Sequence, residues 1–124
     1  MVNDVSPEVV EQELGKTRLL FVDAWAPWCQ PCKALTPILE ELEKKYADSP
    51  DIKFLRVNTQ EYTQFAMDNE IYAIPCVLIY FDGEPAKYEI EHRTTGEKKI
   101  LDRLIGLRPA EHYEDVISFF LGDK

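Results

Sequence analysis

At 124 residues, with a net charge of −9 from 23 acidic and 14 basic side chains, the chain has room for one compact domain, residues 1–124, whose surface repels nucleic-acid phosphates and anionic membranes. Hydrophobic residues make up 45% and charged residues 30%, the balance of a soluble globular protein rather than a disordered one. No run of about 18 apolar residues is present, and the start of the chain carries acidic groups where a secretory leader has a basic start and an apolar core, so a cytoplasmic protein without nucleic-acid or membrane partners is expected.

A short edge strand is predicted at Val2 to Val5. Ser6-Pro7-Glu8 then reads as a helix start, with Ser as cap, Pro at the first helical position and Glu facing the positive helix end; Gly15 ends that helix after about Leu14. Residues 19–25, LLFVDAW, are a near-continuous apolar run of strand length, the pattern of a strand covered on both faces, and only Asp23 breaks it. Leu35, Ile38, Leu39, Leu42 and Tyr46 then line one face of an amphipathic helix predicted from about Cys29 to Asp48, with a kink at Pro37. A strand at 52–58, a short helix carrying Tyr62, Phe65, Ala66 and Asn69, and a buried strand at 76–81 follow. The turn DGEP folds the next strand back antiparallel; the chain should then run as strand from Lys87 to Arg93, turn through TTGEKK, and return as strand to about Gly106. Tyr113, Val116, Ile117, Phe120 and Leu121 line a last helix opening at Pro109 and ending at Gly122. This alternation predicts an α/β fold, a central mixed β-sheet flanked by helices on both faces, with parallel early strands and an extended β-hairpin at about 84–104.

The candidate chemistry lies in WAPWCQPCKAL, residues 25–35, which holds two of the three cysteines. As a structural staple, a disulfide across so short a loop stabilises by only about 2 kcal/mol and is opposed by a reducing cytoplasm. As a zinc site the pair lacks a second close pair, since Cys76, His92 and His112 are scattered singly, so no metal or other cofactor is expected. The third option is reversible dithiol chemistry. The strand ending at Trp25 delivers Cys29 to the N-terminus of the long helix, where free backbone N–H groups and the helix dipole favour a thiolate. Cys29 is then the more exposed, attacking sulfur, and Cys32, one turn further in, the buried resolving sulfur.

Asp23 fits this third option. A carboxylate within an apolar strand costs several kcal/mol unless it is paired or its pKa rises. A raised pKa suits an acid/base acting on Cys32, directly or through one water; the plain alternative is a buried Asp that bonds only to backbone.

With VDAWAPWCQPCK in view, followed by TPILEEL and the AIPC loop, the chain resembles the thioredoxin family over nearly its whole length. The resemblance implies a protein disulfide oxidoreductase that reduces substrate disulfides, with Cys29 as nucleophile, Cys32 as resolving cysteine and Asp23 as buried acid/base. It implies a cis Pro75 facing the disulfide, which an X-Pro bond permits at little cost. Trp28, Ile74 and the Gly106 loop would form the apolar groove where a substrate disulfide docks, whereas Trp25 reads as packing. Disulfide-containing proteins and a thioredoxin reductase or equivalent dithiol donor would be the partners, and the chain a monomer.

The departures from the family pattern are specific. Gln30 stands beside Pro31 where Gly is usual, and both residues between the sulfurs are expected to modulate the site. Arg56 replaces a common Lys; if it pairs with Asp23 rather than lying on the surface, its permanent charge should hold the carboxylate ionised more firmly. Cys76 replaces Thr and reads as a small core residue rather than a third redox thiol. The segment from Glu84 to Leu104 is longer than the family's hairpin, and its KYEIEHR stretch, alternating polar and apolar, reads either as an extension of the sheet edge that offers a partner surface or as an inert long hairpin. A redox-inactive binding or scaffold module, and a disulfide oxidase or isomerase of the same fold, carry these motifs too and are the alternative readings.

Overall fold

The computed structural model describes residues 2–122. Along the chain lie β1 (Asn3–Asp4), α1 (Pro7–Leu14), β2 (Leu19–Trp25), α2 (Gln30–Lys45), β3 (Ile52–Asn58), α3 (Thr63–Asp68), β4 (Cys76–Phe81), β5 (Glu84–Pro85), β6 (Tyr88–Glu91), β7 (Lys98–Leu101), β8 (Arg103–Ile105) and α4 (Ala110–Leu121). The strand bounds read from the apolar runs at 19–25, 52–58 and 76–81 coincide with β2, β3 and β4. The long helix is shorter than its periodicity suggests: Cys29 is its N-cap rather than its first residue, and it ends at Lys45, continuous through Pro37. Ser6 occupies the N-cap of α1 through its backbone carbonyl, which accepts from Val9 and Val10, and not through its hydroxyl.

The main sheet has the order β1-β3-β2-β4-β5, with β8 also paired to β4. The β1, β3 and β2 strands run parallel and β4 is antiparallel to β2. Pleating sends alternate side chains to opposite faces. Leu19 and Phe21 of β2, Phe54 of β3, and Val77 and Ile79 of β4 join Leu35, Leu39 and Leu42 of α2 and Tyr113, Val116 and Ile117 of α4 in one core. Leu20, Val22 and Ala24, with Leu55, Val57, Cys76 and Leu78, meet Val10 of α1 and Phe65 of α3 in the other. Since β2 and β4 carry apolar residues at both parities, both faces are covered by helices, as their near-continuous apolar runs require.

The late hairpin departs from the expected arrangement. β6 and β7 pair only with each other, as a separate two-stranded sheet, and do not extend the main sheet's edge. The edge of β4 is instead shared: β5 covers Tyr80 and Phe81, β8 covers Cys76 to Leu78, and Ile79 bridges them by donating to the Asp102 carbonyl and accepting from Ala86 N–H. The hairpin is thus an insertion within what is otherwise one edge strand. It stays on the α4 side because Tyr88 packs edge-on against Phe119 and leans on Phe120.

Candidate active site

At the end of β2 the chain must reverse into α2, and the local sequence does this in four residues. The Ala26 carbonyl accepts from Cys29 N–H at 3.1 Å, a β-turn with Pro27 at the position where its fixed φ is favoured. Trp28 occupies the turn's tip and is 69% exposed. The Trp25 carbonyl accepts from both the backbone N–H and the hydroxyl of Thr59, tying the launch point to the chain leaving β3. Cys29 caps α2, its Sγ accepting from the Cys32 N–H at 3.2 Å. Pro31 lies in the first helical turn, where a missing N–H has no partner to lose.

Cys29 and Cys32 form a disulfide with Cα atoms 5.3 Å apart. Both sulfur-bearing residues are buried, Cys29 at 4% exposure and Cys32 at 0%, so Cys29 shows only a narrow rim. Gln30 and Pro31 are exposed above it. Ala26, the two cysteines, Trp25 and Ile74 form a small apolar cluster apart from the two main cores.

The Ile74–Pro75 peptide bond is cis, and the Ile74 carbonyl lies 3.8 Å from Cys29 Sγ. The Pro75 carbonyl accepts from Gly106 N–H at 2.8 Å, bringing the end of β8 against the same loop. Gly106 has φ +88°, and a Cβ there would meet nothing within 4 Å. Backbone conformation rather than crowding therefore selects glycine. The tertiary structure thus brings Ile74 to the Cys29 sulfur and ties Gly106 to Pro75, while Trp28 directly precedes Cys29 in the chain.

Asp23 is fully buried on the sheet face that packs against α2 and α4, and neither carboxylate oxygen has a hydrogen-bond partner among the described residues. In register beside it on β3 is Arg56, and beside Arg56 on β1 is Asp4. The Arg56 side chain is 14% exposed, with Nε 3.9 Å from Asp23 Oδ2 and a terminal nitrogen 3.6 Å from Asp4 Oδ2. Its guanidinium carbon lies 4.0 Å from the centre of the Trp25 ring, and Trp25 Nε1 donates to Asp4 Oδ1 at 2.6 Å. Burial pushes the Asp23 pKa up to about 7; Arg56 pulls it down and Asp4 pushes it further up. The pairing envisaged for Arg56 is present but loose, and desolvation outweighs it. Sequence reasoning missed two neighbours: Asp4, which only strand register brings to Arg56, and Tyr113 of α4, read solely as core. The Tyr113 hydroxyl is buried without a hydrogen-bond partner among the described residues, and burial together with the Asp23 charge pushes its pKa up.

Cys76 is buried and reduced, with its thiol pKa raised by burial against the opposing pull of Arg103. It faces the α1 and α3 core, the side of the sheet opposite Asp23. Among the described residues no three His, Cys, Asp or Glu side chains are grouped to hold a metal, and no helix is long and apolar enough to cross a membrane.

A mixed sheet between helix layers, a disulfide at a helix N-terminus and a cis proline beside it define a protein that exchanges disulfides on a thioredoxin fold. The thioredoxin family model matches residues 2–104, ending within β8. Thioredoxin of Staphylococcus epidermidis is 33% identical over 98 residues, spanning 79% of this chain and 78% of that protein, and thioredoxin of Staphylococcus aureus is 32% identical over the same span. In fold, the chain is similar to oxidised mitochondrial thioredoxin 3 of Saccharomyces cerevisiae, with a TM-score of 0.70 and 22% identity over 93% of this chain and 92% of that one. A thioredoxin of Malassezia sympodialis gives a TM-score of 0.71 at 23% identity, covering 95% and 92% of the two chains. The chain belongs to the thioredoxin family, and it is a thiol-disulfide oxidoreductase acting by dithiol–disulfide exchange.

Proposed function

We propose that the whole chain works as one thioredoxin domain that reduces disulfides in protein substrates, in a reducing compartment such as the cytoplasm, and is itself re-reduced by a thioredoxin reductase or equivalent dithiol donor. The observation that carries this reading is the placement of Cys29 at the cap of α2, its sulfur already accepting the Cys32 N–H and lying against the cis Ile74–Pro75 loop. Once the pair is reduced, that N–H and the helix dipole stabilise negative charge on Cys29, so its thiolate is the nucleophile. Trp28, Ile74, Pro75 and Gly106 form the apolar rim against which an extended peptide docks, backbone to backbone at Ile74. Gln30 and Pro31 shape the exposed lip of that rim, and Arg56 modulates Asp23.

The Cys29 thiolate attacks one sulfur of the substrate disulfide, and the other leaves as a thiolate that takes up a proton. Asp23 then accepts the Cys32 proton, and the new thiolate attacks Cys29, expelling the second substrate sulfur. Two electrons pass to the substrate, and Cys29 and Cys32 end as the disulfide present in this structure. Asp23 suits the proton step because a carboxyl with a pKa of about 7 is part protonated and part ionised at neutral pH.

Trapping tests the assignment. Reduced Cys32→Ser protein mixed with insulin should accumulate a mixed disulfide through Cys29, resolved only by added dithiol. A folded, reduced variant that gives no adduct, or gives it through Cys76, would defeat the reading.

A further inference from the structure

Asp4, Arg56 and Asp23 stand side by side in register across β1, β3 and β2, a row of charges alternating in sign that runs from the open sheet edge to the buried carboxyl. Arg56 could serve either acid, and its position between them is set by contacts on the outer side. Trp25 supports the flat face of the guanidinium and also donates to Asp4, so the indole and the Asp4 carboxylate form one bracket. The guanidinium is nearer Asp4, at 3.6 Å, than Asp23, at 3.9 Å, and its Nε, which faces Asp23, makes no hydrogen bond among the described residues. An arginine free to move would close that gap, because a bidentate pair with a buried carboxylate is among the strongest polar contacts a protein makes.

We propose that Asp4 is a positioning residue: with Trp25 it brackets the Arg56 guanidinium toward the sheet edge and keeps it from closing on Asp23, so that the buried carboxyl stays free to take up and release the proton of the resolving thiol. Its functional consequence rests on the acid/base role given to Asp23 above. The groups around Asp23 are few. Arg56 lies beside it on β3, with Asp4 beyond Arg56 on β1, while the Tyr113 hydroxyl on α4 and the Cys76 thiol on β4, across the sheet, both feel its charge. Among the described residues, Arg56 is the charge that favours the ionised form of Asp23, and Asp4, which also contacts Arg56, opposes it through its own charge.

The test follows the Asp23 carboxyl carbon by NMR through pH titration of the oxidised full chain. Asp4→Asn keeps an oxygen for the Trp25 N–H but removes the charge, and since the Asp4 side chain is half exposed the fold should survive. Its Asp23 midpoint should fall by half a pH unit or more, about a threefold loss of proton affinity. Arg56→Gln should raise the midpoint, and adding Asp4→Asn to that variant should give less than half the drop seen with Arg56 present. An unchanged midpoint in Asp4→Asn, or a drop of equal size with and without Arg56, overturns the proposal. The pH profile of insulin reduction separates it from the acid/base reading. If the NMR midpoint moves and the rate profile moves with it, both stand; if only the midpoint moves, the bracket stands and Asp23 is not the acid/base.

Discussion

Replacing Asp23 with Asn should stabilise the oxidised protein, and by an amount that depends on pH in a calculable way. The native carboxyl has its pKa raised from 3.8 to about 7, chiefly by burial. Between those values the folded state holds a proton that the unfolded chain has released, so the wild type loses stability as pH rises, at about 1.4 kcal/mol per pH unit. The loss begins near the unfolded value and is complete above the folded one, amounting to about 4 kcal/mol in all, of which about 3 kcal/mol falls between pH 5 and 8. Asn has nearly the same shape and, like the protonated carboxyl, is a neutral polar group, so its own burial cost is similar and cancels at low pH. Guanidinium unfolding of both oxidised proteins at a series of pH values reads the difference directly. Wild type and Asp23→Asn should be nearly equal below about pH 4, and the variant's lead should widen by about 3 kcal/mol from pH 5 to 8. A gap that stays constant across this range would refute the reasoning, because it would mean that Asp23 does not titrate where burial puts it.

Two further outcomes follow from burial. Trp28→Ala removes a side chain that is 69% exposed, so unfolding stability should change by less than about 0.5 kcal/mol, while kcat/KM for insulin reduction should fall roughly tenfold through lost docking contact; unchanged efficiency would remove Trp28 from the substrate rim. Cys76→Ala should cost about 1 kcal/mol of stability, read by denaturant unfolding, and leave insulin reduction within about twofold of wild type, because the thiol faces the α1 and α3 core; a large loss of turnover would make it a redox participant.

Much of this site could be read along the chain because its parts are local. Ala26 to Cys32 carry their own instructions: a proline at the second position of a turn, a cysteine at a helix cap, and a second proline where the helix has no use for a donor. The near-continuous apolar runs of β2 and β4 likewise announce strands covered on both faces, and Asp23 is conspicuous because it interrupts the first of them. The family resemblance then linked Pro75 and Gly106 to the cysteines, which spacing alone could not have done.

Other features depend on register and packing, which no local pattern encodes. That KYEIEHR closes on its own partner rather than on the main sheet was decided by β5 and β8, which already fill the edge of β4, and by the aromatic contacts that hold Tyr88 on α4. Whether Cys76 belonged with the disulfide or against it was a matter of strand parity: an even position on β4 faces α1 and α3, whereas Asp23 faces α2 and α4. The charge state of Asp23 was the least readable of all, for it is a balance between burial by helices distant in sequence and the charges of Arg56 and Asp4 on neighbouring strands. The sequence by itself determined the reagent, two sulfurs at the mouth of a helix, because that arrangement is built from consecutive residues. Only the tertiary structure decided the charge state of the buried Asp23, because electrostatic energy depends on distance through space and on exclusion of water, and both are set by elements the chain brings together only when folded.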